Sequence, residues 1–229
     1  MSKRHLKTIA APKSWPIKRK EHVYIMKPNP GAHKIEESMP IAIILKLLNQ
    51  IKTTREAKYL INQRKISVNG KPVKEMKFPA GLFDVVSFSD KFFRILYDKR
   101  GKLIFKEIGK SEADILLYRI KNKTKLKNNK LQLNFYNGAN IIVDKDEYNT
   151  NDVLVISNMK VKEKIPFEKN FLVYVIKGKH LGSIAKIEEV HQAPPLNKLT
   201  KVSIDKMKVD LPKDYLFVVG KSSSIITLK

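Results

Sequence analysis

The chain has 229 residues, 42% hydrophobic and 30% charged, with 46 Lys and Arg against 22 Asp and Glu, a formal charge of +24 at pH 7. A chain so charged repels itself until something anionic neutralises it, which leaves nucleic acid, an anionic membrane surface or an acidic protein as partner classes. With no cysteine, disulfides, thiolate zinc sites and thiol catalysis are excluded.

The five histidines, at 5, 22, 33, 180 and 191, include no pair at i, i+4, so no metal and no cofactor is expected. The longest apolar run, 41–48, is broken by Lys46 and is far short of a membrane span. No apolar signal segment follows the basic start, and Pro12 and Pro16 argue against an amphipathic transit helix. The expected location is the cytoplasm. Of the 46 basic residues only 7 are arginine. Lysine meets phosphate as a point charge, whereas arginine forks onto base edges, so this balance favours backbone contact over a base code.

Residues 1–37 form the first segment, a basic arm. Its first 35 residues hold nine bases and one acid, Glu21, and Pro12, Pro16, Pro28 and Pro30 prevent a long helix. Such an arm cannot bury enough surface to fold alone and is expected to order on an anionic partner. Trp15, Ile17, Val23, Tyr24, Ile25 and Met26 give it more anchors than a free tail needs.

Residues 38–96 form the second. Apolar positions 41, 44, 45, 48 and 51 have a helical period. Thr53 followed by Glu56 is a capping box that opens a second helix with an apolar stripe of Ala57, Leu60 and Ile61. Apolar residues then alternate around Asn69-Gly70, the signature of a hairpin whose two turn residues need positive φ. Residues 84–88 read as a further strand. Between 52 and 74 there are seven bases and one acid, and Arg55 and Lys58 lie off the apolar stripe. One basic face at helical spacing suits a phosphate backbone; a solvated face with i, i+4 ion pairs would need more acid than is present.

Residues 97–166 read as a central β-rich unit with strands at 103–108, 131–136, 140–143 and 153–156 and a tight turn at Asn137-Gly138. Between them, 121–130 holds five lysines and no acid, either a solvated loop or one that meets an anionic partner. Residues 167–229 form a last β unit: a strand at 171–176, a glycine-bracketed turn at 177–182, a returning strand at 183–187, a loop at 191–196 and closing strands at 202–204 and 215–219. Short strands with tight turns suggest a small barrel.

Three resemblances sharpen this outline. Residues 53–61 (Thr-Thr-Arg-Glu-Ala-Lys-Tyr-Leu-Ile) followed by 65–73 (Lys-Ile-Ser-Val-Asn-Gly-Lys-Pro-Val) resemble the αL RNA-binding domain, with cap, stripe and hairpin in the same order. Gly178-Lys179-His180-Leu181-Gly182 is similar to the KOW motif that joins two strands of a small barrel. It departs from that pattern at Lys177 and Ala185, where glycines are common, and at His180, where asparagine is. The order of parts resembles small-subunit ribosomal protein four of the archaeal and eukaryotic type. The arm carries this likeness in His5-Leu6-Lys7, residues 11–15 and residues 28–34. Residues 78–86 and the ending Phe217-Val218-Val219-Gly220-Lys221 carry it further. The resemblance implies an α+β multidomain chain: arm, helix-pair-plus-hairpin αL domain, central β-rich domain and C-terminal SH3-like KOW barrel.

It further implies a structural constituent of the small ribosomal subunit that binds and scaffolds ribosomal RNA in translation, with neighbouring small-subunit proteins as partners and no membrane, small-molecule substrate or catalysis. The expected RNA contacts are Lys3, Arg4, Lys7, Lys13, Trp15, Lys18, Arg19, Lys20, His33 and Lys34 in the arm. In the αL domain they are Lys52, Arg55, Lys58, Arg64, Lys65, Lys71 and Lys74, and in the KOW-like turn Lys177, Lys179 and His180. Trp15 is expected either to stack on a base or to anchor the arm on the protein, and His33 either to meet phosphate or to fix a turn. Three other function classes remain: a non-stoichiometric assembly factor, a pseudouridine synthase with an N-terminal αL domain, and a KOW-type transcription elongation factor. The synthase would need a catalytic domain with an active aspartate, and two small β units stand in its place.

Overall fold

Helix caps and tight turns organise the first half of the chain, and long antiparallel pairings the second. The computed structural model describes residues 5–127, 130–157, 160–191, 199–204 and 207–228. The chain divides into two units, Met1–Asp114 and Ile115–Lys229; each is taken in turn.

In chain order the first unit contains β1 (Leu6–Lys7), β2 (Tyr24–Ile25), β3 (Ser38–Pro40), α1 (Ile41–Leu47), α2 (Thr54–Asn62), β4 (Ile66–Val68), β5 (Lys71–Pro72), β6 (Pro79–Gly81), β7 (Val85–Phe88), β8 (Lys91–Tyr97), β9 (Leu103–Ile108) and α3 (Lys110–Ala113). Its main sheet is antiparallel with strand order β5-β4-β7-β8-β9, and β1 pairs with β2 and β3 with β6. No side chain caps α1. Its early amides instead find carbonyls from the chain ahead of β6: Ile41 N donates to Phe78 O (3.0 Å) and Ala42 N to Met76 O (3.2 Å), which satisfies donors that a helix start leaves open. Ile41, Ile44, Leu45, Ala57, Ile61, Ile66, Val86, Ile95 and Leu96 are buried, so the helical stripes and the inner face of the sheet supply the core.

Two expectations change here. The 103–108 strand belongs to the first unit: it pairs along its length with β8, so the boundary expected after residue 96 falls within the β8–β9 hairpin. The arm is also not irregular throughout. β1 and β2 pair, Trp15, Ala11 and Pro28 are buried, and Leu103 N donates to Ser14 O at 2.7 Å. From Leu6 onward the arm finds apolar contacts in its own unit.

The second unit contains β10 (Leu116–Lys125), β11 (Leu131–Phe135), β12 (Asn140–Val143), β13 (Val153–Ser157), β14 (Lys160–Ile165), β15 (Leu172–Val175), β16 (Ile184–Val190), β17 (Leu199–Ile204), β18 (Met207–Pro212) and β19 (Leu216–Gly220). These form two five-stranded antiparallel sheets, β12-β11-β10-β13-β14 and β18-β17-β16-β15-β19. Ile120, Leu131, Leu133, Phe135, Leu154 and Ile156 form a buried cluster on the first. The lysine-rich stretch expected as a loop from 121 is strand as far as Lys125, because β11 supplies its hydrogen-bonding partner from Asn122 to Lys125. Most of the loop expected at 191–196 lies outside the described residues.

Arg119 ties the two sheets together. It is 4% exposed on β10, and its Nη1 donates to Asp214 O (3.0 Å) and Leu216 O (2.8 Å), the latter on β19. Its guanidinium carbon lies 4.7 Å from the ring centre of Tyr136, within the range of a cation–π contact.

Candidate RNA interface

The site is built on α2 and the hairpin after it. Thr53 caps the helix: its Oγ1 accepts from Glu56 N at 3.2 Å. Glu56 closes the box, with Oε2 accepting from Lys52 N (2.8 Å) and Oε1 from Thr53 Oγ1 (3.0 Å). The Lys52 amide and the Thr53 hydroxyl hold the Glu56 pKa below its ordinary value. The one acid among seven bases is thus committed to the helix start. Ala57 and Ile61 are buried, which turns Arg55, Lys58, Tyr59 and Asn62 outward.

The helix ends in a Schellman turn, Arg64 N donating to Ile61 O (2.9 Å) and Lys65 N to Leu60 O (3.2 Å). That puts Arg64 at φ +55°, a left-handed position where glycine is the ordinary occupant and a longer side chain is disfavoured. At the end of α1 the same turn is filled by Asn49, also at +55°, a residue that tolerates it better.

Beyond it, Asn69 and Gly70 take φ of +52° and +75° and turn the hairpin. The Asn69 side chain donates to Asp84 Oδ1 (2.7 Å) and accepts from Val85 N (2.9 Å). Asp84 Oδ2 accepts from Gly81 N (2.8 Å) and meets His33 Nε2 at 2.9 Å. This buried hub links the arm to the hairpin turn. Gly81 is required by it, since a Cβ there would sit 2.4 Å from His33 Cγ. Burial alone would lower the His33 pKa; the charge and hydrogen bond of Asp84, with Glu37 adding, more than offset that and raise it above 6.5.

Lys52, Arg55, Lys58, Arg64, Lys65, Lys71 and Lys74 are all exposed, and among the described residues none of them forms a salt bridge. The arm divides. Lys7, Lys13, Lys18, Lys20 and Lys34 are exposed. Arg19 is turned inward, donating to the carbonyls of Ile9 (3.1 Å), Ala11 (3.1 Å) and Pro12 (2.9 Å). Trp15 is 1% exposed and its Nε1 donates to Ser38 O at 2.8 Å, so its ring is packed inside the unit and offers no face to a base. The His33 side chain is 4% exposed in its pair with Asp84, which leaves it fixing the turn rather than meeting phosphate. Lys3 and Arg4 lie outside the described residues. In the second unit, Gly178 and Gly182 take positive φ, Lys179 is exposed, His180 is half-buried, and Lys177 Nζ stands 5.6 Å from the Tyr136 ring centre.

Tyr59 was not among the expected contacts, yet it is 63% exposed on the outward face of α2 beside Arg55 and Lys58. Its signal in the sequence is an aromatic placed off the apolar stripe between basic neighbours.

Comparison with known proteins decides the family. The model of the ribosomal family S4e matches residues 89–163, the RS4NT domain residues 2–36 and the S4 domain residues 39–86. Small ribosomal subunit protein eS4 of Methanocaldococcus jannaschii is 40% identical over 242 aligned residues, covering 99% of this chain and 98% of that protein. The chain belongs to the S4e family. The protein of the same name from Methanothermobacter thermautotrophicus is 39% identical, with 99% of this chain and 96% of that one covered. The crystal structure of 30S ribosomal protein S4e from Thermoplasma acidophilum superposes with a TM-score of 0.68 at 27% identity, over 81% of this chain and 95% of that one. The S4 match spans α1, α2, the hairpin and the first half of β7, so the seven exposed bases all lie within the S4 domain. The RS4NT match covers the arm, including Trp15 and His33.

Proposed function

We infer that this chain is a structural constituent of the small ribosomal subunit and holds ribosomal RNA through the α2–hairpin surface and the exposed lysines of the arm. The observation that carries this is the concentration of seven exposed bases between residues 52 and 74, whose one acid is spent on the helix cap. Lysines on a rigid helix-and-hairpin frame neutralise phosphates at fixed spacing and release counterions, and Tyr59 offers a ring for an unpaired base. The Lys177–Gly182 turn and the sheet around it fit the KOW-like barrel expected of the last segment. The chain acts as a scaffold without catalysis, in the cytoplasm, beside other small-subunit proteins.

The test is binding of the full chain to a small-subunit rRNA transcript across a KCl series. The Arg55→Glu/Lys58→Glu variant is expected to lose affinity at least tenfold and to flatten the log–log salt dependence by about 1.5, at roughly 0.7–0.9 per lost contact, with unchanged thermal stability. Unchanged affinity and slope would remove α2 from the interface. Mass spectrometry of salt-washed small subunits separates a constituent, near one copy each, from an assembly factor found only in precursor particles.

A further inference from the structure

The last sheet carries a second basic constellation that the α2 surface does not use. The pairing of β16, β17 and β18 sets Lys186 opposite Ser203 and Ser203 opposite Lys208. Ala185, Ile187, Val202 and Ile204 point inward and are buried, so this row of three faces outward. Neighbouring strands are about 4.8 Å apart, which sets the two lysine Cα atoms roughly 10 Å apart on either side of a hydroxyl. The segment before β15 closes one side: Asn170 N donates to Ile187 O at 2.8 Å, which brings Lys169 against the same surface. Together these residues line a cavity of about 580 Å³, within the roughly 300–1,000 Å³ range of ligand-sized clefts.

Two acids share the lining, and both have bases beside them. Glu188 Oε2 lies 3.1 Å from Lys208 Nζ; that lysine is 63% exposed, so the pair is weak and leaves Lys208 able to turn to another anion. Glu189 stands opposite Lys201 in the next row. Lys169, Lys186 and the Ser203 hydroxyl remain for a ligand. Among the described residues the lining has no aromatic ring and no arginine. It therefore lacks both a stacking platform for bases and the arginine fork that reads base edges bidentately.

We propose that this cavity is a phosphate-binding groove for the RNA sugar–phosphate backbone, separate from the α2–hairpin surface. The Ser203 hydroxyl donates to a phosphoryl oxygen while Lys186 and Lys208 flank it and Lys169 approaches from the side. The contact is independent of base sequence, since lysine heads and a serine hydroxyl placed on phosphoryl oxygens carry no sequence information. The inference rests on the rRNA-binding function above, and its test is arranged so that the two fail separately.

The full chain, its Lys186→Ala/Lys208→Ala variant and its Lys186→Arg/Lys208→Arg variant are titrated with the small-subunit rRNA transcript over a KCl series. Lysine acylation with and without RNA is read by mass spectrometry. Matched circular dichroism and thermal melting establish that the variants are folded. The alanine pair is expected to flatten the salt slope by about 1.5, the arginine pair to keep it, and Lys186 and Lys208 to be protected by RNA. An unchanged slope with both lysines equally reactive overturns the proposal. So does protection that appears in whole subunits but not with the transcript, which would assign the groove to an acidic protein neighbour. If the wild-type chain does not bind the transcript, the rRNA function falls and the groove with it. If only Arg55→Glu/Lys58→Glu weakens binding, the groove alone falls.

Discussion

The arm and the α2–hairpin segment carry similar basic residues, yet the fold uses them differently. From Lys52 to Lys74 every base stays at the surface. In the arm, the three residues with the most directional chemistry are taken up by the protein: Trp15 by Ser38, Arg19 by three carbonyls, His33 by Asp84. The difference follows from backbone hydrogen bonding. A helix and a hairpin satisfy their own amides and carbonyls and leave their outward side chains nothing internal to do. An arm punctuated by proline has loose carbonyls and few amide partners, and rings and guanidinium groups are best able to fill those gaps. The lysines, with flexible stems and strongly hydrated heads, stay outside in both regions.

Three changes break or sharpen this contrast. The largest effect is expected from Trp15→Ala, which should cost about 3–5 kcal/mol of stability in chemical denaturation by removing a fully buried ring and leaving Ser38 O without its donor. If Trp15 served RNA instead, affinity would fall and stability would not. Next, Arg64→Gly should stabilise the first unit by about 0.5–1 kcal/mol, since glycine suits the left-handed turn. The same change should weaken rRNA binding, and the two opposite signs in one variant would separate frame from function. The smallest effect is pH-dependent. Because the folded His33 pKa is raised, its stabilising contribution is full below the unfolded value of about 6.5 and is lost as pH rises through the folded pKa. The difference in melting temperature between the wild-type chain and His33→Gln should therefore be larger at pH 5.5 than at pH 8.5.

The sequence revealed most where the determinants are local. The Thr53–Glu56 box, the stripe of α2 and the Asn69-Gly70 turn are each complete within a few residues, and all three are present in the structure. β8 was hidden because Arg94 interrupts its apolar run. The arginine is nevertheless fully buried, with Nη2 donating to Glu112 O at 2.9 Å. Burial lowers its pKa to about 10, with Glu112 opposing the shift, so it keeps its charge at neutral pH. The partner that permits this lies 18 residues on, beyond any local pattern. β3 and β6 were hidden by their prolines, with Pro40 opposite Pro79 in the pairing, since proline has no amide for a ladder. At the candidate site, the lysines were legible from charge alone. The inward turn of Arg19, Trp15 and His33 was not, because each depends on a partner brought in by the fold.

The Arg119 clasp has a consequence for the order in which the chain becomes finished during synthesis. Its two acceptor carbonyls are 95 and 97 residues downstream, and β15, the second-sheet strand that emerges first, takes β19 as one of its two neighbours. Until residues 214–220 emerge, a buried-to-be guanidinium stays solvated and one side of β15 is an open edge. The first unit has no such wait, because its main sheet is complete at Ile108. A nascent chain therefore presents the α2–hairpin surface in finished form well before the second unit can close, and RNA can be engaged in the same order.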